Sequence, residues 1–155
     1  MENVDALSSH IHFVIPDDRI QHWFGRQGYE KQIVPFIRCG GDGSHIALWK
    51  KTGCVDRFVF LGSEGDAFVL TDDPNQFVAL ITMGYDSIEG RNKLVASPKR
   101  TWREGNDGAW PEPVETKAWA IKNLGVIYPQ TGEEILPYAL TDDPFAKFVD
   151  EQNIQ

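Results

Sequence analysis

The strongest constraint on the fold lies between residues 33 and 71, where four short β-rich runs (33–38, 45–50, 56–61 and 66–71) alternate with glycine-bearing turns. The turns are Gly40-Gly41-Asp42-Gly43, Lys51-Thr52-Gly53 and Gly62-Ser63-Glu64-Gly65, each carrying the small residues that tight reversals require. Parallel neighbours need a crossover of about a dozen residues, so connections this short predict an antiparallel meander. Phe58 and Phe60 alternate with Val59 and Leu61, which makes that strand apolar on both faces. Such a strand needs cover on both sides, from a helix on each or from a second protein on one. Pro35 interrupts the first run and, lacking an N–H for the ladder, predicts an edge position or a bulge.

Outside this region the apolar spacing becomes helical. Residues 16–25 place Ile20, Trp23 and Phe24 at i, i+3 and i+4 behind Pro16, Asp17 and Asp18. The pentapeptide Leu70-Thr71-Asp72-Asp73-Pro74 recurs as Leu140-Thr141-Asp142-Asp143-Pro144. Asp before Pro is an N-cap followed by a residue suited to the first helical position, so the echo predicts two similarly capped helices rather than a duplicated unit. The first runs from 74 towards 85 with Phe77, Leu80, Ile81 and Gly84 on one face, and the second covers about 144–151 with Phe145, Phe148 and Val149. Residues 115–124 read as a helix ended by Gly125, and 133–140 as a turn or short helix weakened by Pro137. Residues 86–113 are polar and broken by Gly90, Pro98, Gly105, Gly108, Pro111 and Pro113, and read as a long surface connection carrying Trp102, Trp110 and Asp107.

At 155 residues, 41% of them hydrophobic and 25% charged, the chain suits a single domain with its own core. No apolar run reaches the roughly 18 residues of a spanning helix, so a membrane is not an expected partner. The 15 basic and 23 acidic residues leave a net charge of -8. Binding to nucleic acid draws on clustered Lys and Arg, which this chain lacks, whereas an acidic field attracts a basic protein. Cys39 and Cys54 are too few for a disulfide framework, and Met1-Glu2-Asn3-Val4-Asp5 offers no basic region leading into an apolar one. The expected compartment is the reducing cytoplasm.

Chemistry-bearing residue types occur without the pattern that chemistry needs. His10 and His12 would share a strand face, with His22 following, but no third ligand is spaced to complete a metal site. Asp42, Ser44 and His45 are the residue types of a hydrolytic triad, yet neighbours on a strand point to opposite faces and no G-x-S-x-G elbow accompanies them. Gly40, Gly41 and Gly43 precede a strand and no Walker lysine, so they read as a hairpin turn and not a phosphate cradle. The pairs Asp17-Asp18, Asp72-Asp73, Glu133-Glu134 and Asp142-Asp143 read as caps and solvated surface. The expectation is a binding protein with no catalytic, metal or cofactor site.

Taken in order, Pro35-Phe36-Ile37 leading to Gly41-Asp42-Gly43, the stretch Val59-Phe60-Leu61-Gly62-Ser63-Glu64-Gly65, and the capped helix Phe77-Val78-Ala79-Leu80-Ile81-Thr82-Met83-Gly84-Tyr85 resemble the SUKH superfamily. That superfamily consists largely of bacterial immunity proteins against polymorphic toxins, with relatives of a fungal cell-wall assembly regulator. Trp119, Gly125 and Asp143-Pro144-Phe145 through Phe148 are similar to the aromatic-rich helix, glycine and final short helix that commonly end its members. The resemblance is best over 33–86 and extends to 114–150. It implies an α+β fold, a single domain with a mainly antiparallel or mixed sheet of four to six strands and flanking helices. It also implies no catalytic machinery and tight binding of a cognate toxin domain encoded by a neighbouring gene. The fungal relatives supply the alternative, a regulatory or scaffold module without a toxin partner. For an immunity protein the charges expected at the interface are Asp42, Glu64, Asp66 and Asp107, standing where phosphates bind on a toxin that acts on nucleic acid, with Trp49 and Trp102 as anchors. Trp49 on a central strand also reads as core, and Glu64 as the solvated tip of a turn.

Overall fold

The computed structural model describes residues 11–14, 23, 32–98 and 114–153. The four β-rich runs form strands, joined at one edge by a two-residue strand that pairs with the first of them. The resulting five-stranded sheet consists of β1 (His12–Phe13), β2 (Ile33–Arg38), β3 (His45–Trp49), β4 (Arg57–Leu61) and β5 (Ala67–Thr71). Spatial order equals chain order and every pair is antiparallel, which is the meander the short turns require. Gly43 and Gly65 close the β2–β3 and β4–β5 turns at φ of 103° and 96°, a conformation that disfavours any side chain.

Pro35 is accommodated by a bulge. The β2–β3 register shifts between Pro35 and Ile37, leaving Phe36 as the extra residue. Strict alternation would put Ile33 and Ile37 on the same side of the sheet; the bulge sends them to opposite sides, each into a different apolar cluster.

Both faces are covered by the chain's own helices, so the alternative of a second protein on one face is not needed among the described residues. On the first face, α1 (Pro74–Thr82) packs Phe77 and Leu80 over Ile37, Ile46, Phe60, Phe68 and Leu70. The Asp73 side chain caps α1 by accepting the Asn75 N–H at 2.8 Å, and Gly84 at φ 108° follows its end. Downstream lie α2 (Arg91–Val95), α3 (Val114–Leu124), the 3₁₀ turns Gly132–Ile135 and Leu140–Asp142, and α4 (Pro144–Asn153). On the second face α4 lays Phe145, Phe148 and Val149 over Ile33, Ala47, Trp49, Val59, Leu61 and Val69. The Trp49 ring sits 5.0 Å from Phe145 and 5.4 Å from Phe148, centroid to centroid.

Residues 86–98 depart from the expected surface connection. Ser87, Ile88 and Leu94 are buried, and the Ile88 N–H donates to the Cys39 carbonyl at 2.6 Å. The Tyr85 hydroxyl organises the segment, accepting the Gly132 N–H at 2.8 Å and donating to the Ala96 carbonyl at 2.8 Å. Ile88 and Leu94 thus add to the core over the first face. Of the expected 16–25 helix only Trp23 is among the described residues; its indole N–H donates to the Gly62 carbonyl at 2.8 Å.

Candidate protein-binding surface at the turn end of the sheet

Successive connections of a meander alternate between its two ends. The β2–β3 and β4–β5 turns therefore share one end, and the β3–β4 turn lies at the other. This brings Asp42, Glu64 and Asp66 together and leaves Trp49 at the far end.

Asp42 ties the two turns to each other. Its Oδ1 accepts the Ser44 N–H at 2.9 Å, and its Oδ2 accepts the Ser44 hydroxyl at 2.9 Å and the Ser63 hydroxyl at 2.8 Å. The Ser63 N–H in turn donates to Ser44 Oγ at 3.3 Å. Partial burial raises the Asp42 carboxyl, but the hydrogen bonds from the Ser44 amide and the two hydroxyls outweigh it, and the net effect holds the group below its ordinary value. A Cβ on Gly40 would stand 2.5 Å from Asp42 Oδ1 and 3.0 Å from Glu89 Cγ, so a larger residue there would displace the Asp42 carboxylate. The Ser44 hydroxyl, which a triad would need as nucleophile, is buried and engaged with Asp42.

A fourth carboxylate joins from the segment that folds back after α1. The Ile88-to-Cys39 hydrogen bond sets Glu89 beside Gly40. Cys39 senses the arrangement: burial pushes its thiol far up, and the nearby Asp42 and Glu89 carboxylates push it further. Between Asp66 and Glu89 opens a cleft of about 440 Å³, lined also by Phe68, Gly90, Arg91 and Leu140. Its cations are engaged within the chain only in part, since Arg91 Nη1 is buried with no hydrogen-bond partner among the described residues. The Arg91 guanidinium donates to the Tyr138 carbonyl at 2.9 Å and lies 5.9 Å from the Phe68 ring centroid, and Lys93 pairs with Asp86 at 3.8 Å. The side chains of Glu64, Asp66 and Glu89 are exposed and have no such partner among the described residues.

The six expected interface residues therefore separate. Asp42, Glu64 and Asp66 share one surface, with Asp42 committed to holding it together. Trp49 is 2% exposed and packed beneath α4, so it serves as core and cannot anchor a partner while that helix is seated. Trp102 and Asp107 lie outside the described residues. Glu89 was not singled out by sequence reasoning; its only signal is the lone Ile88 beside it in a polar stretch. Among the described residues no cluster of three or more His, Cys, Asp or Glu side chains could hold a metal ion, and His10 and His22 fall outside them. No helix among these residues is long and apolar enough to cross a membrane. No protein-family model, no curated protein and no solved structure matches the chain.

Proposed function

We propose that the chain is an immunity protein of the SUKH kind, which neutralises a toxin domain encoded by a neighbouring gene by seating the acidic turn end of its sheet on the toxin's basic active-site groove. The observation that carries this reading is the set of exposed carboxylates of Glu64, Asp66 and Glu89 beside a cleft whose Arg91 and Lys93 bond to Tyr138 and Asp86 of the same chain. Asp42 contributes by pre-organising both turns, which lowers the ordering cost that binding would otherwise incur. The net charge of -8 adds a long-range field that speeds encounter with a basic partner. The resemblance over 33–86 points to the same class of partner.

The test is co-expression with the product of the adjacent open reading frame in a sensitive host, scoring growth and co-purification together. The neighbour alone should be toxic, and this chain should restore growth and elute with it as a complex. A harmless neighbour, or one whose toxicity persists, removes the assignment. In the complex, the double substitution Glu64→Lys with Asp66→Lys should weaken affinity about 10- to 100-fold, mainly through a slower on-rate with a flatter salt dependence. Unchanged affinity would move the interface away from this end of the sheet.

A further inference from the structure

Helix α3 carries an apolar row that the other described residues do not cover. It docks beside α1 through Ala120, which is fully buried. Val114, Ala118 and Ile121 face solvent, the first and last being 62% and 54% exposed. Spacings of four and three residues place them on one stripe of the helix. Along one flank of that stripe run Glu115 and Lys122, seven residues apart, both exposed and neither bonded to another side chain among the described residues. The opposite flank carries Lys117, whose ammonium lies 5.2 Å from the Tyr128 ring centroid.

We propose that α3 is a self-association surface, through which a second copy of this chain packs its own α3 antiparallel to the first about a two-fold axis. The argument is charge complementarity. A two-fold contact is reciprocal, so whatever residue i meets on the second copy must meet i in return. In an antiparallel pair each flank runs along the same flank of the partner helix in reverse. Glu115 then faces Lys122 of the second copy, and Lys122 faces its Glu115, closing two equivalent ion pairs around the apolar row. A parallel pair would instead set Lys117 against Lys122 of the second copy, a like-charge contact. The small Ala118 at the middle of the row lets the axes approach closely. Eleven residues give about 16 Å of helix, so the contact is small and the dimer reversible, with a dissociation constant of about micromolar or weaker. This inference is independent of the proposed function, since the surface lies on a different element from the acidic turns.

Sedimentation velocity on the full chain over about a hundred-fold concentration range tests it. The expected result is a reversible monomer–dimer equilibrium that Ile121→Glu abolishes. Glu115→Lys and Lys122→Glu, taken singly, should each weaken dimerisation about 10-fold, since each turns both ion pairs into like-charge contacts. Mixing the two variants should restore it, because in the mixed dimer both pairs are again opposite in charge, one with its original polarity and one reversed. Glu115 and Lys122 also complement the helix's own dipole, a contribution that mixing cannot restore. A wild-type chain that stays monomeric throughout, charge variants that dimerise as the wild type does, or a mixture that remains monomeric would each overturn the proposal.

Discussion

Asp42 accepts hydrogen bonds from two turns, the farther donor standing 21 positions along the chain. Its charged form is what the fold prefers, because each bond is donated to an ionised carboxylate. The sign of the pH dependence follows. A carboxyl held below its ordinary value contributes stability that is present above that value and is lost as pH falls through the folded-state one. Asp42→Asn should therefore lower stability at neutral pH by about 1 kcal/mol, a modest figure because the side chain is exposed. The difference from wild type should shrink as pH drops below about 4, as measured by urea unfolding at several pH values. A pH-independent difference would mean that the charge plays no part. In the sequence Asp42 stood out as an acidic residue in a glycine turn. Its bond to Ser63 could not be read there, because that contact depends on which turns the meander stacks at one end.

At the scale of elements, the repeated pentapeptide shows what local sequence specifies and what it leaves to packing. Both copies start a helix behind an Asp cap, as expected. Asp73 is exposed and accepts the Asn75 N–H alone, whereas Asp143 is fully buried. It accepts the Phe145 and Ala146 N–H groups at 2.8 and 3.0 Å through Oδ1, and the Val69 N–H at 2.8 Å through Oδ2. The same five residues thus yield a surface cap in one place and, in the other, a buried clasp joining α4 to the edge strand β5. Asp73→Ala should cost about 1 kcal/mol and Asp143→Ala about 3 kcal/mol, since the second leaves buried donors unpaired. Equal losses in chemical denaturation would contradict the clasp. The strands and the longer helices were legible because periodicity and turn chemistry agreed over many residues. The α2 segment was not: five residues give too little periodicity, Ile88 stands alone among polar neighbours, and of the adjoining Leu94 and Val95 only Leu94 is buried.

For the molecule as a whole, the arrangement is a sheet between two apolar layers, one under α1 and the other under α4. Its two thiols report on this arrangement separately. Cys39 is buried, with its thiol pushed up by desolvation and by the carboxylates of Asp42 and Glu89, while Cys54 is exposed in the β3–β4 turn. A thiol reagent should label Cys54 at once and Cys39 only at the rate at which the sheet opens, so native-state labelling of Cys39 should slow in step with global stability. Immediate reaction at both positions would show that the turn end opens on its own. The co-location of Asp42, Glu64 and Asp66 was within reach of the sequence, because a meander with short turns must put alternate connections at the same end. Glu89 was beyond reach, since its place depends on one backbone hydrogen bond from Ile88. The bulge at Phe36 has a wider consequence. Because β2 begins in one layer and ends in the other, it is a stitch through both sides of the cloth, and parity governs what may change there. Losing one residue would move Ile37 to the α4 side and Arg38 to the α1 side, whereas losing two would preserve the alternation. A single thread shared in this way leaves neither layer free to come apart while the other holds.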